Sequence, residues 1–122
     1  TVTGQVAQIR AALGARRLTI FPEGTTGDGR ELLPFKSALL SAAGDLPVGV
    51  PVQPVALVYD DAEGIAWVGG EPGLRNACNI LGRTHPIQLT LRFLPALAGP
   101  ALADRKAMAA AAREGIAREL GR

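Results

Sequence analysis

RLTIFPEGTTGDGRELLPFK, residues 17–36, sets a short apolar run, a glycine-rich loop and a proline-led segment in direct succession. Arg17-Leu18-Thr19-Ile20-Phe21 reads as a strand that stops at Pro22, which cannot donate to a ladder. Pro34 then suits a helix start, with Phe35, Leu39 and Ala42 or Ala43 on one face and Gly44 as its close. The loop from Pro22 to Gly29 therefore joins strand to helix, and that order predicts an α/β domain.

The flanking sequence continues the alternation. Val2, Val6, Ile9 and Leu13 recur at helical spacing, and Gly14 follows at a cap position. Val48 to Val58 is a β-branched run broken by Pro51 and Pro54, and Ile65 to Val68 reads as a further strand after an Asp60–Gly64 turn. A run apolar on both faces predicts a strand covered by helices. Pro72 marks a helix start, Leu74, Ala77, Cys78 and Leu81 form its stripe, and Gly82 is the expected cap. Ile87, Leu89, Leu91 and Phe93 alternate with Gln88, Thr90 and Arg92, the pattern of a half-buried strand. The alanine-rich tail, Ala103 to Leu120, carries Asp104 early and Glu114 four residues before Arg118, so it predicts a terminal helix. We expect one unit with a mixed, largely parallel sheet flanked by helices.

Composition limits what such a unit does. The 122 residues, 48% of them hydrophobic, suffice for one modest core. A net charge of +2, with arginines scattered among acids, argues against nucleic acid as the partner. One cysteine, Cys78, excludes an internal disulfide and a cysteine metal cluster, and fits a reducing compartment. No stretch is long and apolar enough to span a bilayer. Thr1 in place of an initiator methionine leads us to expect a piece of something longer.

In an open α/β sheet, ligands bind outside the carboxyl ends of the strands, where the 22–29 loop is expected. Glu23 supplies a carboxylate, Thr25 and Thr26 hydroxyls, and Gly24, Gly27 and Gly29 a backbone that is free to turn tightly and offer amides. The loop matches neither the Walker phosphate loop nor the dinucleotide fingerprint. The plain alternative, a reverse turn at Asp28-Gly29 beside a solvated acid, stays open at this point. Elsewhere, Ser37 and Ser41 lie in no Gly-x-Ser-x-Gly elbow. Cys78 belongs to a packing stripe, Trp67 and Tyr59 read as core or edge residues, and Asp60, Asp61 and Glu63 as a solvated turn with no metal expected. Arg16-Arg17 reads as an ordinary exposed connection.

Phe21-Pro22-Glu23-Gly24-Thr25 resembles the third sequence block of the glycerolipid acyltransferase family, the lysophosphatidate acyltransferase-like enzymes. Leu33-Pro34-Phe35-Lys36 is similar to the stretch after it, and Val50-Pro51-Val52-Gln53-Pro54-Val55-Ala56-Leu57 to the fourth block, in the right order. Glu23-Gly24-Thr25-Thr26-Gly27-Asp28-Gly29 also resembles the bacterial branch that acylates lyso-ornithine lipid. The resemblance implies acyl transfer from acyl-CoA or acyl carrier protein to a lysolipid hydroxyl, 1-acylglycerol-3-phosphate or lyso-ornithine lipid, in membrane lipid biosynthesis. It implies no bound cofactor, and a place at the cytoplasmic face of a membrane, peripheral or anchored by segments outside this chain.

By the same resemblance, Glu23, Gly24, Thr25 and Thr26 hold the polar acceptor together with Arg30 and Lys36, and Pro51 and Pro54 lie on the acyl-donor side. Thr26 stands where the family usually has an arginine, which removes a phosphate-binding guanidinium there; Arg30 or Lys36 is the expected substitute. The family's catalytic pair is a histidine with an aspartate five positions on, ahead of the Glu-Gly-Thr block. Here the one histidine is His85, after both blocks, and five positions on is Thr90. We therefore read residues 1–122 as the carboxyl-terminal part of a single acyltransferase domain, inactive by itself. A non-catalytic lipid- or anion-binding module that kept the loop without the base is the alternative.

Overall fold

The computed structural model describes residues 18–45 and 50–122. The expected first helix, Arg16-Arg17 and the start of the Val48 run lie outside the described residues. The element order is a 3-10 helix η1 (Ser37–Asp45), strand β1 (Val55–Tyr59), helix α1 (Ala62–Ile65), helix α2 (Gly73–Leu81), strand β2 (Leu89–Phe93), a 3-10 helix η2 (Gly99–Leu102) and helix α3 (Arg105–Glu119).

This is a mixed helix and strand fold, but its sheet differs from the expectation. Among the described residues there is one two-stranded sheet, β1 with β2, and it is antiparallel, with Val55 opposite Phe93, Leu57 opposite Leu91 and Tyr59 opposite Leu89. Residues 18–21 form no strand, and Ile65 closes α1 instead of opening one. In that segment Asp61 caps the helix through a bond from Gly64 N to Oδ1 (3.0 Å), so the local polar side chain outcompetes the strand signal of the apolar residues. The Val48–Val58 run becomes a strand only after Pro54. Leu97 N donates to Val52 O (2.8 Å) and Leu94 N to Pro54 O (3.0 Å), so the chain ahead of β1 stays paired through carbonyls, the groups proline keeps.

One face of the ribbon is covered. Ala56 is fully buried, while Leu57 and Tyr59 on the alternate face remain exposed, so helices do not cover β1 on both sides. β2 is exposed at all five positions, where its alternation predicts half burial. The core is small and aliphatic: Leu40 of η1 packs with Met108 and Ala109 of α3, and Ile20, Phe35, Ala43, Val52 and Leu97 close around them. The segment after Pro34 is expected as an α-helix facing inward through Leu39, but it winds with three residues per turn. Leu40 and Ala43 therefore align, and Leu40 takes the buried position.

The two later helices begin where the sequence places them. Pro72 precedes α2, and Asp104 caps α3, accepting from Lys106 N (2.6 Å) and Ala107 N (2.8 Å). These bonds hold the Asp104 carboxyl below its ordinary range. Glu114 and Arg118 pair at 2.7 Å. The expected inward stripe of α2 is reversed: Leu74, Ala77, Cys78 and Leu81 are exposed, and Asn76 and Ile80 turn toward the protein.

Candidate functional site

The Glu23 loop is fastened at its base, across its middle and from the far end of the chain. Gly24 N donates to Phe21 O (3.2 Å), making a β-turn with Pro22 in the position its fixed φ suits. Lys36 N donates to Pro22 O (2.7 Å) and closes the loop at its base. Leu33 N donates to Glu23 Oε2 (2.9 Å) across it. From α3, Arg113 donates through Nη2 to Leu32 O (2.9 Å) and through Nε to Leu33 O (3.3 Å). Arg122 Nη2 reaches Gly29 O (3.0 Å).

Two glycines are needed for this path. Gly24 has φ +65°, and a Cβ there would come within 3.0 Å of Lys36 Cδ and Nζ, since the lysine side chain lies over the turn. Gly29 has φ +79°, and a Cβ there would sit 2.8 Å from the carbonyl carbon and oxygen of Ala62, so loop and α1 touch backbone to backbone. Gly27 has no positive φ. Asp28 forms a local turn, its Oδ1 accepting from Arg30 N (2.9 Å). The reverse-turn reading is thus realised at Asp28.

The loop walls a cleft of about 600 Å³. Glu23, Thr25, Thr26 and Glu31 are among its polar lining, and Leu57, Tyr59, Ile65 and Trp67 among its apolar lining. Arg92, Glu119 and Arg122 close it from β2 and the carboxyl end. Its cations are engaged: Arg92 Nη1 bonds Glu119 Oε1 (2.7 Å) and Arg122 holds the Gly29 carbonyl. A lining that mixes polar and apolar side chains suits an amphipathic molecule.

Of the expected acceptor residues, Glu23, Thr25 and Thr26 line this cleft. Gly24 shapes the turn beside it. Arg30 points elsewhere in its bonding: Nη2 pairs with Glu63 Oε2 at 2.8 Å, an exposed contact that raises the guanidinium pKa further. Lys36 packs over Gly24 and is outside the lining. Pro54 is buried under β1, Pro51 is exposed, and neither lines the cleft. Asp61 caps α1 and pairs with Arg83 (2.9 Å), and the Arg83 bond and the Gly64 amide hold its carboxyl low. His85 lies exposed in a bend and does not line the cleft. Sequence reasoning missed Arg113 and Arg122, whose partners lie 80 or more residues away, and placed Trp67 and Tyr59 in core or edge roles instead of at the cleft.

A family model described as Acyltransferase matches residues 2–58. The chain is 36% identical over 107 residues to a lyso-ornithine lipid O-acyltransferase of Brucella abortus, covering 75% of this chain and 40% of that protein. It is 52% identical over 44 residues to a lyso-ornithine lipid O-acyltransferase of Pseudomonas aeruginosa (36% of this chain, 16% of that protein). It is 43% identical over 56 residues to a 1-acyl-sn-glycerol-3-phosphate acyltransferase of Escherichia coli (44% and 22%). The chain thus spans less than half the length of each of these relatives. No solved structure matches it. The family match contains both the Phe21–Thr25 turn and the Val50–Leu57 segment, and together with these relatives it supports a glycerolipid acyltransferase family for the chain.

Proposed function

We propose that this chain is the acceptor-holding part of an O-acyltransferase that moves an acyl chain from acyl-CoA or acyl carrier protein to the hydroxyl of a lysolipid. The observation that carries the reading is the mixed lining of the cleft, which joins Glu23, Thr25 and Thr26 with Leu57, Ile65 and Trp67. In the reaction the acceptor oxygen attacks the thioester carbonyl, its proton passes to a base, and the C–S bond breaks to release the thiol. The loop positions the oxygen: its hydroxyls and carboxylate bind the headgroup region, and the fastenings from α3 keep that geometry fixed before binding. The base is not a His-x4-Asp pair of this chain, since His85 is followed by Thr90 at that spacing. Membrane lipid is the acceptor's source, and the donor approaches from the side of the Pro51–Pro54 segment.

Between the two acceptors, the charges favour lyso-ornithine lipid over 1-acylglycerol-3-phosphate. Thr26 offers no guanidinium, Arg30 is tied to Glu63, and Arg92 and Arg122 are already bonded, while Glu23 and Glu31 face the cleft. A site with paired arginines, and with Glu23 and Glu31 in no ion pair among the described residues, suits an ammonium-bearing headgroup better than a phosphate dianion. The Brucella abortus relative's name agrees. The test is competitive binding of the two lysolipids to the chain, with Glu23→Gln beside the wild type. Preference for lyso-ornithine lipid, weakened roughly five- to tenfold by Glu23→Gln, is expected from losing one charged hydrogen-bond acceptor. Preference for the phosphate, or no change with Glu23→Gln, refutes the acceptor assignment. The isolated chain is expected to show no acyl transfer, and turnover by it would overturn the placement of the base. Binding without turnover even in a longer protein carrying this chain would favour the non-catalytic lipid-binding module, which the position of His85 outside the cleft also fits.

A further inference from the structure

Helix α3 and the acid of the Glu23 loop are joined through a single peptide unit. Ala109, Ala112 and Ile116 bury one face of α3, which fixes where Arg113, exposed beside them, begins its reach. Arg113 Nη2 donates to Leu32 O (2.9 Å), and Leu33 N, the other polar end of that same Leu32–Leu33 peptide, donates to Glu23 Oε2 (2.9 Å). A guanidinium and a carboxylate thus hold the two ends of one rigid plane. Arg113 Nε on Leu33 O (3.3 Å) steadies the next unit, whose nitrogen belongs to Pro34 and has no hydrogen to donate. The loop repeats the pattern once: Arg122 Nη2 donates to Gly29 O (3.0 Å), and Arg30 N, in the same peptide, to Asp28 Oδ1 (2.9 Å). Of the two carboxylates, Glu23 lines the cleft and Asp28 does not.

We propose that Arg113 is a positioning residue for the lysolipid acceptor, acting through the Leu32–Leu33 peptide on the Glu23 carboxylate, a role that rests on the reading of Glu23 as the headgroup's partner. Because the peptide is planar, fixing its carbonyl from α3 fixes the direction of its N–H, and with it the place of Glu23 Oε2. Glu23, Leu32 and Leu33 are half-buried, so water competes less for these bonds than at an open surface. A charged donor on the carbonyl and a charged acceptor on the amide also reinforce one another, by roughly 10–30% per bond. That gain is small and Arg113 itself is exposed, so orientation is the larger effect. Leu32 lines the cleft together with Glu23, and a tilt of the plane would therefore move a polar and an apolar part of the lining at once. Arg113 does not line the cleft, so replacing it removes no contact with a ligand there. Without it Glu23 keeps its charge and loses its fixed direction.

Two measurements on the folded chain test this. In the first, without lipid, the amide resonances of Leu33 and Lys36 are followed by NMR. Arg113→Ala should move the Leu33 amide proton upfield, as a weakened bond to Glu23 requires, and leave Lys36, whose bond to Pro22 O (2.7 Å) closes the loop without Arg113. A Leu33 amide indifferent to Arg113→Ala, or a Lys36 amide that moves as far, refutes the link through the peptide. In the second, lyso-ornithine lipid binding is titrated with wild type, Arg113→Ala, Glu23→Gln and the double variant. Arg113→Ala should weaken binding about three- to tenfold when Glu23 is present and less than about twofold after Glu23→Gln. Equal loss in both backgrounds would mean that Arg113 only holds the loop together, and would overturn the proposal. Asp28→Asn, at the end of the second link, should leave affinity within about twofold, and a loss matching Arg113→Ala would deny Glu23 its special place. Binding unchanged by Arg113→Ala but weakened by Glu23→Gln refutes the role of Arg113 and leaves the acceptor reading standing. Binding unchanged by either, beside a Leu33 amide that responds, refutes the acceptor reading and the role of Arg113 with it.

Discussion

Gly29 is where the loop and the body of the protein meet backbone to backbone, and replacing it tests the whole account of how the cleft is built. At φ +79° an alanine pays about 1–2 kcal/mol for a left-handed conformation. Its Cβ would also lie 2.8 Å from the carbonyl carbon and oxygen of Ala62, and because the obstructing atoms are main chain, α1 or the loop must move, at about 1–3 kcal/mol more. Reduced freedom of the unfolded chain returns about 0.4–1 kcal/mol. The expected net loss for Gly29→Ala is about 1–4.5 kcal/mol. Gly27→Ala is the matched control: its φ is not positive, and the nearest atom to a new Cβ is Leu33 Cδ1 at 3.5 Å, ordinary contact, so it should be neutral or stabilising by about 0.4–1 kcal/mol. Urea unfolding followed by Trp67 emission reads both variants on one scale, with Trp67 lining the same cleft as the substituted loop. If the two variants agree within about 0.5 kcal/mol, the close approach of Gly29 to Ala62 is not a feature of the molecule in solution.

Two further outcomes follow from the fastenings of α3. Arg113→Ala removes both bonds to the Leu32 and Leu33 carbonyls and should lower stability by about 1 kcal/mol, with Arg113→Lys recovering little because an ammonium lacks the fork that spans two acceptors; loop opening by hydrogen exchange at Leu33 is the direct readout. Asp104 has its carboxyl pKa lowered from 3.8 by the amides of Ala107 and Lys106, so its charge stabilises the fold above that value and the contribution disappears as pH falls through the lower folded value. Asparagine caps a helix well but carries no charge, so thermal melts of wild type and Asp104→Asn should differ near neutral pH and converge in acid. A gap that widens in acid would contradict the assignment of Asp104 as a charged cap.

What the sequence showed well was whatever depends on neighbours in the chain. The starts of α2 and α3 were legible because Pro72 and Asp104 act within one turn, and the Glu114–Arg118 pair because four residues fix its geometry. Glu23, Thr25 and Thr26, singled out by residue type, line one cleft. Strand direction was not legible, because an alternating run such as Leu89 to Phe93 reads identically beside a parallel or an antiparallel partner. Nor were Arg113 and Arg122, whose acceptors lie on the far side of the sequence and are backbone carbonyls, groups every residue has. The stripe of α2 was correctly periodic and wrongly oriented: period tells which residues share a face, while orientation is set by what the face meets, here the Asn76 bond to Ala66.

The double use of Glu23 explains why the loop is so heavily fastened. Its Oε2 accepts from Leu33 N, so the acid proposed to hold the acceptor is also a brace of the loop that presents it. A brace alone would tolerate glutamine, whose carbonyl oxygen accepts the same bond, whereas a headgroup ligand needs the charge. Glu23→Gln therefore separates the two roles by keeping one and removing the other. The arginines from α3 make that separation possible: with Leu32, Leu33 and Gly29 held from outside, the loop does not rely on the Glu23 charge for its shape. A carboxylate freed from sole responsibility for its own loop can change partners when a ligand arrives, and this is the physical reason to expect the acceptor's polar end at Glu23 and not at Arg30, which pairs with Glu63 and does not line the cleft.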